Sequence, residues 1–533
     1  MDLPTPSRRQ LLASLAYAAA TPLVLNLAAV ARAATQSAGA QAGYRALVCI
    51  FMQGGNDANN LVLATDPGSW SQYWAARFSG ADPIALMPPG TAPVAIGQVS
   101  PLTKRTVSTN AMPEHWGGVL PITPARPQAV PPANQTSSGA QTRTFGLHPL
   151  MPGAQGLFQA GRLAVLANVG TLLAPLTKAQ YQKPTAATPI PPRLFSHADQ
   201  QSAWQSGQVD GSATGWGGLT ADTFAATGSA VDFEAITTAG NTAFLSGATT
   251  RSFRVNYSGA KATAQTIGLL ATTGRYNESS TFLTEFRQNI QESSIGPTQS
   301  NNMVKDYAAA VARSINAASV FDTALGAGAY TQTPVPPAFT DPISGRTAAN
   351  PLADQLLAVA QTAAAHAALG VTRQVFFVQY GSFDTHDGEN ARQGLLLAQL
   401  DHALSYFDGA LAKLGLSDQV TSFTASDFNR TFTTNGDGTD HAWGAHHLIM
   451  GGAVKGGDMY GTYPTLGVDR AASGSTPAFA NPDGVGNALV PTTSVETYLA
   501  TMATWLGVTS AQLNIIFPRL AAFPVQNLGF MKA

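Results

Sequence analysis

Hydrophobic positions along this chain fall into two alternating patterns. Five short runs are nearly continuous in apolar residues: YRALVCIFMQ (44–53), RLAVLANVG (162–170), RQVFFVQYG (373–381), QVTSFTA (419–425) and HLIMGGAV (447–454). Runs of this length and evenness suit strands covered on both faces, as in a parallel sheet. Between them the apolar residues recur at helical spacing. HPLMPGAQGLFQAG precedes the second run, NPLADQLLAVAQTAAAHAALG precedes the third, and ARQGLLLAQLDHALSYFDGALAKLG links the third to the fourth. The last of these stops at Gly415, a suitable C-terminal cap. Strand, helix and strand in succession predict an α/β sheet with right-handed crossovers.

Two zones break the pattern. Residues 83–144 turn rich in Pro, Thr and Gly, which reads as an insertion or covering loop on a single domain. Residues 328–351 are similarly irregular, and 230–318 mix strand-like and helical pieces as a candidate cap over the sheet. No internal repeat is present.

Composition narrows the function classes. The chain has 533 residues and a net charge of −1, and only 11% of its residues are charged. No basic field points to nucleic acid or an anionic membrane. The single cysteine, Cys49, excludes an intramolecular disulfide and reads as a buried, inert thiol. The N-terminus carries an address: PSRRQLLASLAYAAATPLVLNLAAVARAATQ has a twin arginine (Arg8, Arg9), an apolar stretch and an Ala31-Arg32-Ala33 cleavage-like site. This predicts a twin-arginine signal peptide over 1–33, with a retained membrane anchor as the alternative. The mature chain, 34–533, is then a periplasmic or secreted protein exported already folded by the twin-arginine machinery. No other segment reaches the length of a membrane span.

Against so low a charge, ASDFNRTFTTNGDGTDHAWGAHH (425–447) stands out, with His441, His446, His447, Asp427, Asp437 and Asp440. In parallel α/β sheets, functional groups gather in the loops beyond the strands' C-terminal ends. GGNDANN with Asp57 follows the first strand, GSFDTHDGE with Asp384, His386 and Asp387 the third, and SDFNRT with Asp427 the fourth; GTDHAWGAHH precedes the fifth. Carboxylates and imidazoles together suit divalent ions such as Zn, Mn or Fe. Each loop alone has a plain reading as turn chemistry, above all Asp437 in NGDG. His366 and His402 lie in helical patterns and read as packing or surface residues, and His148 as a capping or hinge residue. RLFSHADQQSAWQSG places Ser196 at a helix start, where its hydroxyl either caps the helix or faces the site as a nucleophile.

The ordered blocks GGND, HPLMPGAQGLFQAGRLAVLANVG, FSHADQQSAWQSG, GWGG, FDTHD, SDFNRT, GTDHAWGAHHLIMGGAVKGG and MYG resemble a bacterial family catalogued as domain of unknown function 1501. The resemblance runs from about residue 45 to the end, and the Pro-rich insertion falls outside it. Members of that family commonly carry twin-arginine signals and are often encoded beside a second exported family, which implies a two-protein system. The family in turn resembles the alkaline phosphatase and sulfatase superfamily. That implies a mostly parallel sheet sandwiched by helices, with one or two divalent ions (Zn, Mn, Fe or Ca) at its edge. The resemblance assigns Asp57, Asp384, His386, Asp427, His441 and His446 to the metal shell, with His441 and His446 as alternatives for the closing ligand. It makes Ser196 the nucleophile; the loop placement adds Arg193 or Arg430 as the candidate bidentate clamp on substrate oxygens. One departure stands in the pattern: where an Asp-His dipeptide is expected, Asp427 is followed by Phe428, which cannot ligate a metal.

Together these features predict an exported metal-dependent hydrolase of phosphate or sulfate esters, acting on a small-molecule or polymer ester. The rival is a non-catalytic binding or scaffold protein on the same fold, working with a second exported partner. A redox enzyme is disfavoured, since there is no Cys cluster, haem attachment motif or dinucleotide-binding glycine motif.

Overall fold

The computed structural model describes residues 43–225, 233–240, 242–258, 261–264, 314, 317–318, 320–326, 328–474 and 478–532. The expected signal peptide and most of the candidate cap lie outside them. The main sheet holds β1 (Arg45–Met52), β2 (Leu163–Gly170), β3 (Ala235–Thr237), β4 (Phe253–Ser258), β5 (Lys261–Ala264), β6 (Arg373–Tyr380), β7 (Val420–Ser426), β8 (Ala445–Met450), β9 (Met459–Tyr460) and β10 (Thr493–Ser494). Their order is β9-β2-β8-β7-β1-β6-β3-β4-β5, with β10 paired to β2. The helices that matter here are α1 (Pro67–Arg77), α2 (His197–Ser206), α3 (Pro351–Ala364), α4 (Glu389–Lys413) and α5 (Val495–Leu506).

All five apolar runs are strands, and the expected α/β class is borne out. β1 lies at the centre, parallel to β6 and β7. Its side chains explain why its sequence is apolar throughout. Ala46, Val48, Ile50 and Met52 join the core that includes Leu356 of α3 and Leu400 of α4, whereas Leu47, Cys49 and Phe51 join the core that includes Tyr498 and Met502 of α5. Period-two alternation between two buried faces leaves no polar face to see. α3 starts where Asn350 accepts a hydrogen bond from the Leu352 amide, with Pro351 in the first turn. α4 ends before Gly415, whose φ of 70° lies in the left-handed region.

One run departs from the parallel expectation. β8 is antiparallel to both its neighbours, β7 and β2. The reason is the connection: residues 427–444 contain no helix, and a parallel return needs a crossover. The sheet is therefore mixed and mostly parallel. Because β8 begins at the edge where β7 ends, the whole 427–444 loop folds back over the edge that the β1 and β6 loops also reach.

The insertion packs onto this frame. Strands Leu120–Ile122 and Phe145–Leu147 pair with each other, and Phe145–Leu147 pairs with Val62–Ala64 beyond β1. Buried Arg143 donates to the carbonyl of Pro464 at 2.8 Å, and Asn134 donates to that of Leu466 at 2.9 Å. Within the segment expected as a cap, β3, β4 and β5 extend the main sheet. No helix among the described residues is long and apolar enough to cross a membrane.

Candidate metal centre

Three loops and the first turn of α2 meet at the C-terminal edge of β1, β6 and β7. Two glycines after β1 permit the approach. A β-carbon on Gly54 (φ 113°) would lie 2.5 Å from the Asp384 amide nitrogen, and one on Gly55 (φ 83°) would lie 2.5 Å from the Phe428 ring. Only a residue with no side chain fits there, in a backbone conformation that others avoid. An isolated antiparallel bridge between Arg430 and His441 fixes the returning loop opposite the chain leaving β7.

His197, Asp384 and His441 each place one ligand atom within 4.8 Å of the others. The Asp384 Oδ1 atom lies 3.4 Å from His197 Nε2, 3.6 Å from His441 Nε2 and 3.2 Å from His386 Nε2. The two Nε2 atoms of His386 and His441 face each other at 3.0 Å. The far nitrogens are all engaged. His197 Nδ1 meets Asp427 Oδ2 at 2.7 Å, His441 Nδ1 meets the Phe195 carbonyl at 2.7 Å, and His386 Nδ1 meets Asp440 Oδ1 at 3.2 Å. A carbonyl or carboxylate can only accept, so each Nδ1 carries a proton, and with the ring neutral the Nε2 lone pair points inward. In that state the inward lone pairs are suited to a cation between them, and Arg430 Nη1 already lies 3.4 Å from His386 Nε2. Ligands about 2.0–2.1 Å from a tetrahedral ion sit about 3.3 Å apart, and the distances here bracket that value. The residues present fit a divalent ion. Imidazoles oriented by carboxylates and carbonyls are the usual outer arrangement of such sites.

Positive charge is already built in. Buried Arg430 donates to the Gly55 carbonyl at 2.8 Å and also binds the Gly54 carbonyl and Asp384 Oδ1. Partial burial raises the Asp384 pKa, but Arg430 outweighs it and holds the carboxyl below its ordinary range. The bond to Asp427 raises the His197 pKa, whereas desolvation lowers that of His441, aided by Arg430. Phe428 packs at 4.8 Å from the His197 ring and 4.6 Å from the His441 ring, between centroids. It walls the cluster where a ligand was expected. The centre is open to solvent, with the Asp384 side chain 48% exposed.

The structure sorts the sequence-derived candidates. Asp384, His386, His441 and Arg430 come together. Asp57 does not join them. It is fully buried, and its carboxylate is held by Arg77 of α1, with Nη2 donating to Oδ1 at 2.9 Å. Burial alone would raise its pKa; Arg77 reverses that and lowers it. Glu389 of α4, also buried, lies 3.8 Å from Arg77, and desolvation pushes its pKa well up. This is an internal charge cluster beneath the site. His446 is corrected too. It lies within β8, stacked at 4.6 Å on Tyr463, and burial lowers its pKa to about 3. Its Nδ1 accepts from the Asn168 amide at 3.0 Å.

Asp427 reaches the far nitrogen of His197 and stands outside the group of three close ligand atoms. Ser196 occupies the N-cap position of α2 without capping it; its hydroxyl donates to Asp199 Oδ2 at 2.6 Å. Arg193, exposed, pairs with Asp199 at 2.8 Å. The sequence reading missed His197, and it named Asp440 in the charged stretch without giving it a role. His197 sits beside Ser196 in the quoted FSHADQQ, and it supplies an imidazole in the region where Phe428 leaves the Asp-His pattern short. The shape of the turn before it was not readable: Arg193 and Phe195 both have positive φ, 54° and 72°.

No curated protein matches the chain. One similar solved structure is described as "Crystal structure of Ps i-CgsB in complex with k-i-k-neocarrahexaose"; it is 9% identical and covers 67% of each chain with a TM-score of 0.29, a likeness too slight to bear on function. The model of the family "Protein of unknown function (DUF1501)" matches residues 44–479. The chain belongs to that family.

Proposed function

We propose that this protein is an exported, metal-dependent hydrolase of phosphate or sulfate esters. The observation that carries the reading is the convergence of the His197, His386 and His441 Nε2 atoms on Asp384 Oδ1, with every Nδ1 oriented by an acceptor. His197, Asp384 and His441 would hold the ion, with His386 beside them. A bound divalent ion would supply Lewis acidity and a lowered pKa for a coordinated hydroxyl. Arg430, buried behind Asp384 and fixed by two backbone carbonyls, would add positive charge to the site from beneath and hold Asp384 in place rather than touch the substrate. Open exposure at Asp384 suits an ester on a large or polymeric molecule as readily as a small one.

The test is metal analysis together with aryl phosphate and aryl sulfate assays on protein purified without chelators. Hydrolysis that disappears in Asp384→Asn, along with the metal, supports the reading; hydrolysis that persists in the metal-free variant contradicts it. For export, Arg8→Lys/Arg9→Lys should leave the protein in the cytoplasm on cell fractionation, and unchanged export would overturn that part.

One observation favours a second reading, a non-catalytic metal-bound scaffold. The Ser196 hydroxyl is committed to Asp199 rather than to the histidine cluster. Stoichiometric metal with no turnover on any ester in the screen would select it.

A further inference from the structure

Asp427 is fully buried at the end of β7, and three donors converge on its Oδ2 atom. His197 Nδ1 lies at 2.7 Å, Gln201 Nε2 at 2.9 Å and the Gly54 amide at 3.2 Å. His197 and Gln201 are four residues apart on α2, so one face of the helix presents both to the same oxygen. Gly54 belongs to the loop that packs against the Asp384 backbone. The carboxylate therefore ties together the β1 loop, the end of β7 and the first turn of α2, all beneath the metal cluster. Its Oδ2 is committed to these three donors while Oδ1 is buried without a hydrogen-bond partner, and neither oxygen belongs to the His197, Asp384 and His441 group of close ligand atoms.

We infer that Asp427 is a positioning residue for the metal ligand His197 and is not itself a ligand. This rests on the metal centre proposed above. Its carboxylate fixes the proton on Nδ1, aims Nε2 at Asp384, and strengthens the ring as a donor to a cation. Gln201 shares the task by holding the carboxylate in place. The turn leading into α2 serves His441 through the Phe195 carbonyl, so the entry to this helix supplies one ligand and orients another. The inference reverses the assignment that the family resemblance gives Asp427.

Titration of the metal-free, full-length exported protein with Co(II) and Zn(II) tests it, read by calorimetry and by the visible Co(II) bands. The wild type should bind one equivalent. Asp427→Asn should still bind one equivalent, with similar Co(II) bands but about 10- to 100-fold weaker affinity, the usual cost of losing such an outer partner. Gln201→Leu, which leaves the carboxylate in place, should weaken binding a few-fold without lowering the melting temperature of the metal-free protein, a change that a purely structural role would not give. Asp384→Asn should abolish stoichiometric binding. If Asp427→Asn abolishes binding as Asp384→Asn does while Gln201→Leu has no effect, Asp427 is a ligand and the inference falls. Wild-type affinity in both Asp427→Asn and Gln201→Leu overturns it as well. A wild type that binds neither ion overturns the metal centre itself, which separates that failure from the failure of Asp427's role.

Discussion

Residues with the same side chain do opposite work at this sheet edge, and burial decides which. Asp384 is half exposed and faces three imidazoles, whereas Asp57, one loop away, is sealed against Arg77. Breaking that buried pair is costly because the remaining charge has no water. Arg77→Met should destabilise the fold by about 3–5 kcal/mol in urea denaturation. Arg77→Met/Asp57→Asn should recover part of the loss and keep full metal stoichiometry. Loss of metal from the double variant would return Asp57 to the ligand shell. Sequence alone could not separate the two aspartates, since both follow central strands in glycine-flanked loops. The difference lies in Arg77, twenty residues further on, whose guanidinium also donates to the carbonyls of Thr431 and Phe432. His446 was misread for a related reason: it adjoins a functional loop but already belongs to strand β8, where burial keeps it neutral.

At the scale of elements, the strands were legible because each is apolar on both faces, and the α3 and α4 patterns because caps and spacing agree. The direction of β8 was not, since apolar runs look alike whichever way they point; only the helix-free connection reveals it. α2 was half legible. Its start was marked by Ser196, but the positive-φ turn that brings His197 and the Phe195 carbonyl to the site leaves no compositional trace. α5 offers a test that does not involve the site. Glu496, in its first turn, is buried, and desolvation raises its pKa to about 7 despite the opposing pull of Arg519. The folded-state value is above the unfolded one, 4.5. The contribution to stability is thus fully present below the unfolded value and is lost as pH rises through about 7. Glu496→Gln should flatten the fall in melting temperature between about pH 5 and about pH 8. An unchanged slope in the variant would show that another group sets it.

The described part of the molecule is a sheet with two buried faces and one edge that carries the candidate site. The scarcity of charge was the most useful global signal, because it made the cluster at 425–447 and the FDTHD loop conspicuous. Topology then did what composition could not. The antiparallel return of β8 puts His441 on the same edge as Asp384, and α2 closes the cluster from the side. The insertion at 83–144 lies within the stretch 44–479 that the family model matches, is held by buried Arg143 and Asn134 against 463–466, and forms part of the body of the fold.

The measurement that bears most directly on this account is the metal content of the protein, purified without chelators, beside a His197→Ala/His441→Ala variant. The account predicts one equivalent of a divalent ion in the wild type and none in the variant, with both proteins folded by circular dichroism. An ion retained by the variant, or none in the wild type, would contradict it.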